Sequence, residues 1–301
     1  MKIPNKRAKV GDLIQFYLNS SHFARLSGTT QKQYEIHLGY VLATRVNGKR
    51  LEDYQASSLK AQHTNQAYQQ WLKVGIRTAN YRKAALSTAW KFCMRFDIVD
   101  NDPVRLIKTE RDTPRKVLWT RDQVHQFLDT AYSDFRWRSI GLIVHMSYEW
   151  GQRVGDMRML TWNKVNLREK RIDLTQSKRG ADVHLPVPDG LLQMLEQQEL
   201  DFGFQQYVAP RPNPVAGAYI PYAVDKIDVA INEVKDAAGL PKDITAMDLR
   251  RTAITEMVEG GADLAQIMQV SGHANPSSVK PYMVNTFTGA KNALAKRNRD
   301  E

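Results

Sequence analysis

The 301-residue chain has a single cysteine, Cys93. That excludes an intrachain disulfide framework and a cysteine-cluster metal site. Cys93 lies in AWKFCMRF among apolar neighbours and is expected as a buried core thiol. Long apolar runs are also missing. None approaches the ~18 residues of a membrane span, and the basic start MKIPNKRAKVGD lacks the apolar stretch of a signal peptide. There is no internal repeat, no low-complexity tract, no Walker-type glycine loop, no His-Glu-x-x-His and no carboxylate cluster. Nothing in the sequence therefore calls for a nucleotide or a metal, and no cofactor is expected.

Positive charge is what the chain has in excess, with a net +11 and a pI near 9.6. The excess is uneven. Residues 1–110 carry 18 Lys+Arg against 8 Asp+Glu, and residues 111–301 carry 25 against 24. The first third has the footprint of a protein that lies on a polyanion such as nucleic acid, although a solvated basic surface would read the same way. The length allows two domains, each with its own core.

Residues 10–97 carry helical stripes. Val10, Leu13, Ile14 and Tyr17 mark a first helix. Thr29 or Thr30 is placed to cap a second, a third spans about 57–74, and a fourth carries Tyr81 to Phe96. With no clear strand, residues 1–100 read as a four-helix domain. Prolines 103 and 114 and dense charge make 101–116 a linker. Residues 117–301 read as a mainly helical second domain with a small antiparallel β-sheet. The fold class is thus multidomain α and α+β. Thr120 and Gln123 have capping-box spacing. The run Ser139–Met146 is apolar nearly all round, as in a buried helix. Residues 171–188 alternate like a β-hairpin with Lys178 at its tip. Residues 203–222 read as an ordered loop.

The stretch 248–284, DLRRTAITEMVEGGADLAQIMQVSGHANPSSVKPYMV, holds Arg250, then Gly272-His273, then Tyr282 nine positions on. In this order the residues suit a phosphate-binding site beside a phenol nucleophile. Residues 248–273 alone also pass for a helix-turn-helix, but the segment after Gly272 makes a poor recognition helix, because Asn275-Pro276 and Pro281 interrupt it. Upstream, Arg153 in WGQRVGDMRMLTW is followed one turn later by Asp156, a pairing that ordinarily reads as a surface ion pair.

The assembled pattern resembles the tyrosine recombinases, the family of phage integrases and Xer-type recombinases. GQRVGDMRMLTW reads as its Gly-x-Arg-x-x-Glu/Asp motif, Lys178 as its hairpin lysine, MDLRRT as its His-x-x-Arg motif, and Gly272-His273 with Tyr282 as its closing motifs. One position departs: Met247 stands where the family has histidine, and methionine cannot donate a hydrogen bond. Proline immediately before Tyr282 is a second oddity, and it bends the segment. The resemblance implies a core-binding domain in residues 1–100, a catalytic domain in 117–301, and catalytic roles for Arg153, Lys178, Arg250, His273 and Tyr282. It also implies double-stranded DNA as partner, clamped by two domains, and a homo-tetramer on paired sites. A host or phage DNA-bending or directionality factor would assist, and no membrane would be involved. The expected place is the bacterial cytoplasm or nucleoid, encoded by a phage or mobile element. The function expected is an integrase working through a 3′-phosphotyrosyl link. The alternatives are a relaxing topoisomerase of the type IB kind and a DNA-binding regulator whose site has decayed. The tail, 285–301, has a weak stripe of Phe287, Ala290 and Leu294, suited either to docking on a neighbouring protomer or to a frayed end.

Overall fold

The computed structural model describes residues 3–113, 115–178, 180–282 and 287–297. The chain divides into two compact units, Met1–Arg115 and Lys116–Glu301.

The first unit contains α1 (Val10–Leu18), α2 (Ser21–Ala24), α3 (Gly28–Ala43), α4 (Ala61–Leu72) and α5 (Ile76–Met94). The α1 stripe is buried as its spacing demands, at Val10, Leu13, Ile14 and Tyr17. The long α5 packs against α1, α3 and α4 and buries Ala85, Leu86, Ala89, Trp90 and Cys93. Burial pushes the Cys93 thiol up to about 12, so it is an inert core group.

Three details differ from the sequence reading. The cap of α3 is Ser27, whose hydroxyl accepts from the Thr30 amide at 3.3 Å. A two-stranded hairpin, β1 (Arg45–Val46) with β2 (Lys49–Arg50), stands where no strand was expected. Its Asn47-Gly48 turn has φ of +50° and +78°, the left-handed geometry that Asn-Gly favours. The flanking residues are mostly charged and show no apolar alternation. Third, much of the expected linker is part of this unit. Val104 and Ile107 are buried, the Trp90 indole donates to Asn101 O at 2.8 Å, and the Glu110 amide donates to the Tyr68 hydroxyl at 2.9 Å. Charge and proline concealed two core residues, and the first unit runs to Arg115, through most of the segment read as a linker.

The second unit contains α6 (Arg121–Tyr132), α7 (Phe135–Glu149), α8 (Val154–Met157), β3 (Val165–Asn166), β4 (Arg171–Thr175), β5 (Asp182–Pro186), α9 (Asp189–Phe202), α10 (Val224–Ala237), α11 (Ala246–Glu259), α12 (Leu264–Ser271) and α13 (Phe287–Arg297). The sheet is antiparallel in the order β3-β4-β5. Pairing of Ile172 with Leu185 and of Leu174 with Val183 puts all four on the buried face. The last pair, Thr175 with Asp182, leads into the turn bearing Lys178. The third strand, β3, is too short to show a period. Helix α7 is buried along both faces, and α11 and α6 pack on it.

Helix α13 packs on α11 of the same chain, and the Asn292 amide donates to Glu259 O. Phe287 and Leu294 face solvent. Among the described residues, no helix is long and apolar enough to cross a membrane.

Gly141 sets the approach of α7 to α6, since a Cβ there would lie 2.8 Å from Ala131 Cβ and 2.9 Å from the Tyr132 ring. Alanine is intrinsically about 1 kcal/mol better than glycine in a helix. Gly141→Ala is nonetheless expected to destabilise the protein by about 1–3 kcal/mol through overpacking. Urea unfolding measures this, and a net gain would mean that the two helices separate freely.

Candidate active site

Helix α11 starts from a reciprocal cap in which the Thr245 amide donates to Asp248 Oδ2 at 2.8 Å. One turn on, Arg250 points inward and is 7% exposed. Its guanidinium donates to Gly151 O at 2.9 Å and to Ser271 O at 2.7 Å. These carbonyls lie just past the end of α7 and at the last residue of α12, where helix carbonyls lack intrahelical partners and carry partial negative charge. Each is next to or on a backbone reversal: Gly151 has φ +58° and Gly272 φ +67°. Burial pushes the Arg250 pKa down to about 10, and the charge of Arg153 acts in the same direction. The nearby Tyr282 phenol and the charge of Asp156 oppose them. The group therefore stays charged at neutral pH.

Arg153 caps α8. Its Nη1 lies 3.5 Å from Asp156 Oδ2 and 3.3 Å from Gln176 Oε1. The ion pair expected on the surface is not there: Asp156 is 4% exposed. Its other oxygen accepts from the Ser177 amide at 3.1 Å and the Ser177 hydroxyl at 2.5 Å. Asp156 thus joins the Arg153 guanidinium to the turn that carries the exposed Lys178.

His273 is buried beside Arg250, with a ring nitrogen 3.3 Å from its Nη2 and Nδ1 2.7 Å from Ser271 Oγ. The His273 and Tyr282 rings are 5.6 Å apart. Tyr282 ends a single 3-10 turn, Lys280–Tyr282, as the bend at Pro281 requires. Three contacts hold that turn to α11. Thr255 Oγ1 donates to Tyr282 O at 3.1 Å, Arg251 Nη1 donates to Pro281 O at 3.3 Å, and the Arg251 guanidinium lies 5.5 Å from the Tyr282 ring centre.

All five residues singled out from the sequence line one cleft of about 520 Å³: Arg153, Lys178, Arg250, His273 and Tyr282. Met247 lies at its rim, 84% exposed, and offers no hydrogen-bonding head group where the motif would have histidine. The arrangement presents two guanidiniums and a lysine to an anion, with a phenol hydroxyl beside one guanidinium. Sequence reasoning missed Gln152, which lines this cleft, and Gln176, which lies behind it; both are 1% exposed. Glutamine is ordinarily a surface residue, so no pattern marked them.

The phage integrase family matches residues 118–288, more than half of the chain. The chain belongs to this family. Among curated proteins, it is 23% identical to tyrosine recombinase XerC of Pediococcus pentosaceus, over 68% of this chain and 71% of that one. It is 26% identical to tyrosine recombinase XerA of Pyrococcus furiosus, over 74% and 75%. Among solved structures, the Tn1549 transposon integrase in complex with a circular intermediate DNA superposes with a TM-score of 0.77 at 15% identity, covering 96% of this chain and 99% of that one. A lambda integrase dimer bound to a core site superposes at 0.75 with 14% identity, covering 92% and 95%. The integrase fold thus extends over both units of the chain.

The Gly272 turn tests how closely the site is built. A Cβ there would meet the Gln176 amide at 2.6 Å, on backbone that L-residues resist. Gly272→Ala is expected to lower stability by about 1–3 kcal/mol and to displace His273. Thermal unfolding read together with the His273 ring resonances would show both effects, and an unmoved histidine would mean that the turn is adaptable.

Proposed function

We propose that this chain is a site-specific DNA recombinase, an integrase, that cleaves and rejoins double-stranded DNA through a 3′-phosphotyrosyl intermediate. The observation that carries this reading is one cleft that gathers Arg153, Lys178, Arg250, His273 and Tyr282, with a His273 ring nitrogen 3.3 Å from Arg250 Nη2 and the His273 and Tyr282 rings 5.6 Å apart. A phosphodiester resists attack because its oxygens are negative and its alkoxide leaves poorly. In this reading Arg153 and Arg250 grip the non-bridging oxygens and stabilise the charge that builds in the in-line transition state. Lys178 protonates the departing 5′-oxygen. Tyr282 attacks phosphorus, and His273 assists by hydrogen bonding. The phosphotyrosine conserves the bond energy, so a partner strand's 5′-hydroxyl can attack it and rejoin without ATP.

The basic first unit supplies sequence-independent phosphate contacts as a core-binding domain. A homo-tetramer on paired sites fits the reading, since a related lambda integrase structure is a tetramer bound to a Holliday junction. An accessory bending or directionality factor belongs to the same proposal. Met247 favours one rival, a DNA-binding regulator with a decayed site.

Covalent trapping separates them. Nicked duplexes cut from DNA flanking the gene lose the short 5′-hydroxyl strand on cleavage and strand the protein on the DNA. The wild type is expected to form a denaturant-resistant adduct. Tyr282→Phe is expected to lose it by more than about 1,000-fold while DNA affinity holds. An adduct that survives Tyr282→Phe would sink the assignment of the nucleophile. Tight, selective binding with no wild-type adduct would favour the regulator.

A further inference from the structure

Two buried side-chain amides lie behind the arginine pair. Gln152 Nε2 donates to Trp150 O at 3.0 Å and to Val270 O at 2.6 Å. Its oxygen is thereby turned toward Gln176, whose Nε2 donates to Gln152 Oε1 at 2.6 Å and to Ser271 O at 2.8 Å. Carbonyl oxygens only accept, so each amide nitrogen has one orientation that satisfies it. What remains of Gln176 is its Oε1, and that atom accepts from Arg153 Nη1 at 3.3 Å. The Gln176 backbone also closes the hairpin: its amide donates to Ala181 O at 2.8 Å, and the Gly180 amide donates to its carbonyl at 2.9 Å.

Gln176 therefore touches Arg153, the Ser271 carbonyl and the base of the hairpin turn. Ser271 O, which it shares with Arg250, precedes the Gly272-His273 turn. That turn has room for the amide only because residue 272 lacks a Cβ. Lys178 is two residues along the strand end. We propose that Gln176 is a positioning residue that fixes Arg153, the carbonyl under Arg250 and the Lys178 hairpin in one geometry. This rests on the recombinase reading of the cleft.

Two variants test it on the duplex recovered by trapping. Gln176→Met keeps the length and removes the hydrogen bonds. It is expected to slow single-turnover adduct formation by about 10- to 100-fold, with DNA affinity within about 3-fold of the wild type. The deficit should shrink on a duplex with a methylphosphonate at the scissile position. There one non-bridging charge is gone, and a displaced Arg153 matters less. A merely loosened domain would show the same deficit on both substrates.

Gln176→Glu keeps the shape but turns an oxygen toward two acceptors. Protonation restores one donor, so its rate relative to the wild type should climb as pH falls from about 8 to about 6. Wild-type rates in both variants, or equal deficits on the two substrates with a flat pH ratio, would overturn the inference alone. A wild type that forms no adduct would overturn it together with the recombinase reading.

Discussion

A guanidinium cannot be buried without partners, and the second unit is organised around burying Arg250. Desolvating an arginine is costly unless its donors meet acceptors. Here a second cation, Arg153, lies close enough to push the Arg250 pKa down. The fold answers with helix ends. Gly151 O and Ser271 O come from the C-terminal ends of α7 and α12, so backbone partial charges supply the compensation. No carboxylate contacts Arg250 directly among the described hydrogen bonds. A carboxylate would neutralise the cation and compete with an incoming phosphate, whereas carbonyl dipoles hold it and leave its charge free for a ligand. The two glycine reversals serve this arrangement differently: Gly151 offers its own carbonyl just past α7, and Gly272 turns the chain directly after Ser271, the last residue of α12.

This constraint explains which parts of the site could be read in the sequence. Arg250, His273 and Tyr282 stood out because they are polar side chains at a spacing set by α11, α12 and one turn. Lys178 was marked by β-alternation on either side of it. Gln152, Gln176 and the inward role of Asp156 were illegible, since each depends on a partner 20 or more residues away, Asp156 on Ser177 and Gln176 on Ser271. In isolation an Arg–Asp pair at this spacing is more often solvated. The fold obeys the same rule. Long helices with apolar stripes were visible, and the buried α7 was too. Two-residue strands have no period to detect, and Val104 and Ile107 reach the core from a segment whose charge and proline argue for a linker.

Asp156 and Gln176 divide the work around Arg153. Asp156 contributes charge, and a near-buried carboxylate held by the Ser177 amide and hydroxyl is pinned rather than mobile. Gln176 contributes a neutral acceptor whose position is set by a chain of amides. Together they leave the other edge of the Arg153 fork for the cleft, where a planar guanidinium is suited to paired oxygens. The hairpin is attached at these two residues, through Ser177 and Gln176, adjacent or nearly adjacent to Lys178. A lysine side chain loses rotamer entropy when fixed, so this attachment holds the turn while the exposed Lys178 side chain keeps its freedom.

The exposed Met247 belongs to the same logic. At the rim of the cleft, one turn before Arg250 on α11, a side chain can meet a bound phosphate only from the solvent side. A histidine there would offer a hydrogen bond at the rim of the cleft. Its replacement by a thioether removes that bond and leaves the buried framework of Gly151, Ser271, Gln152 and Gln176 untouched, because no described hydrogen bond of that framework runs through residue 247. Loss of a rim side chain removes one interaction. Loss of a buried member would leave Arg250 with an unsatisfied donor and alter the whole site. The departure therefore falls at an exposed position of the motif, outside the buried framework.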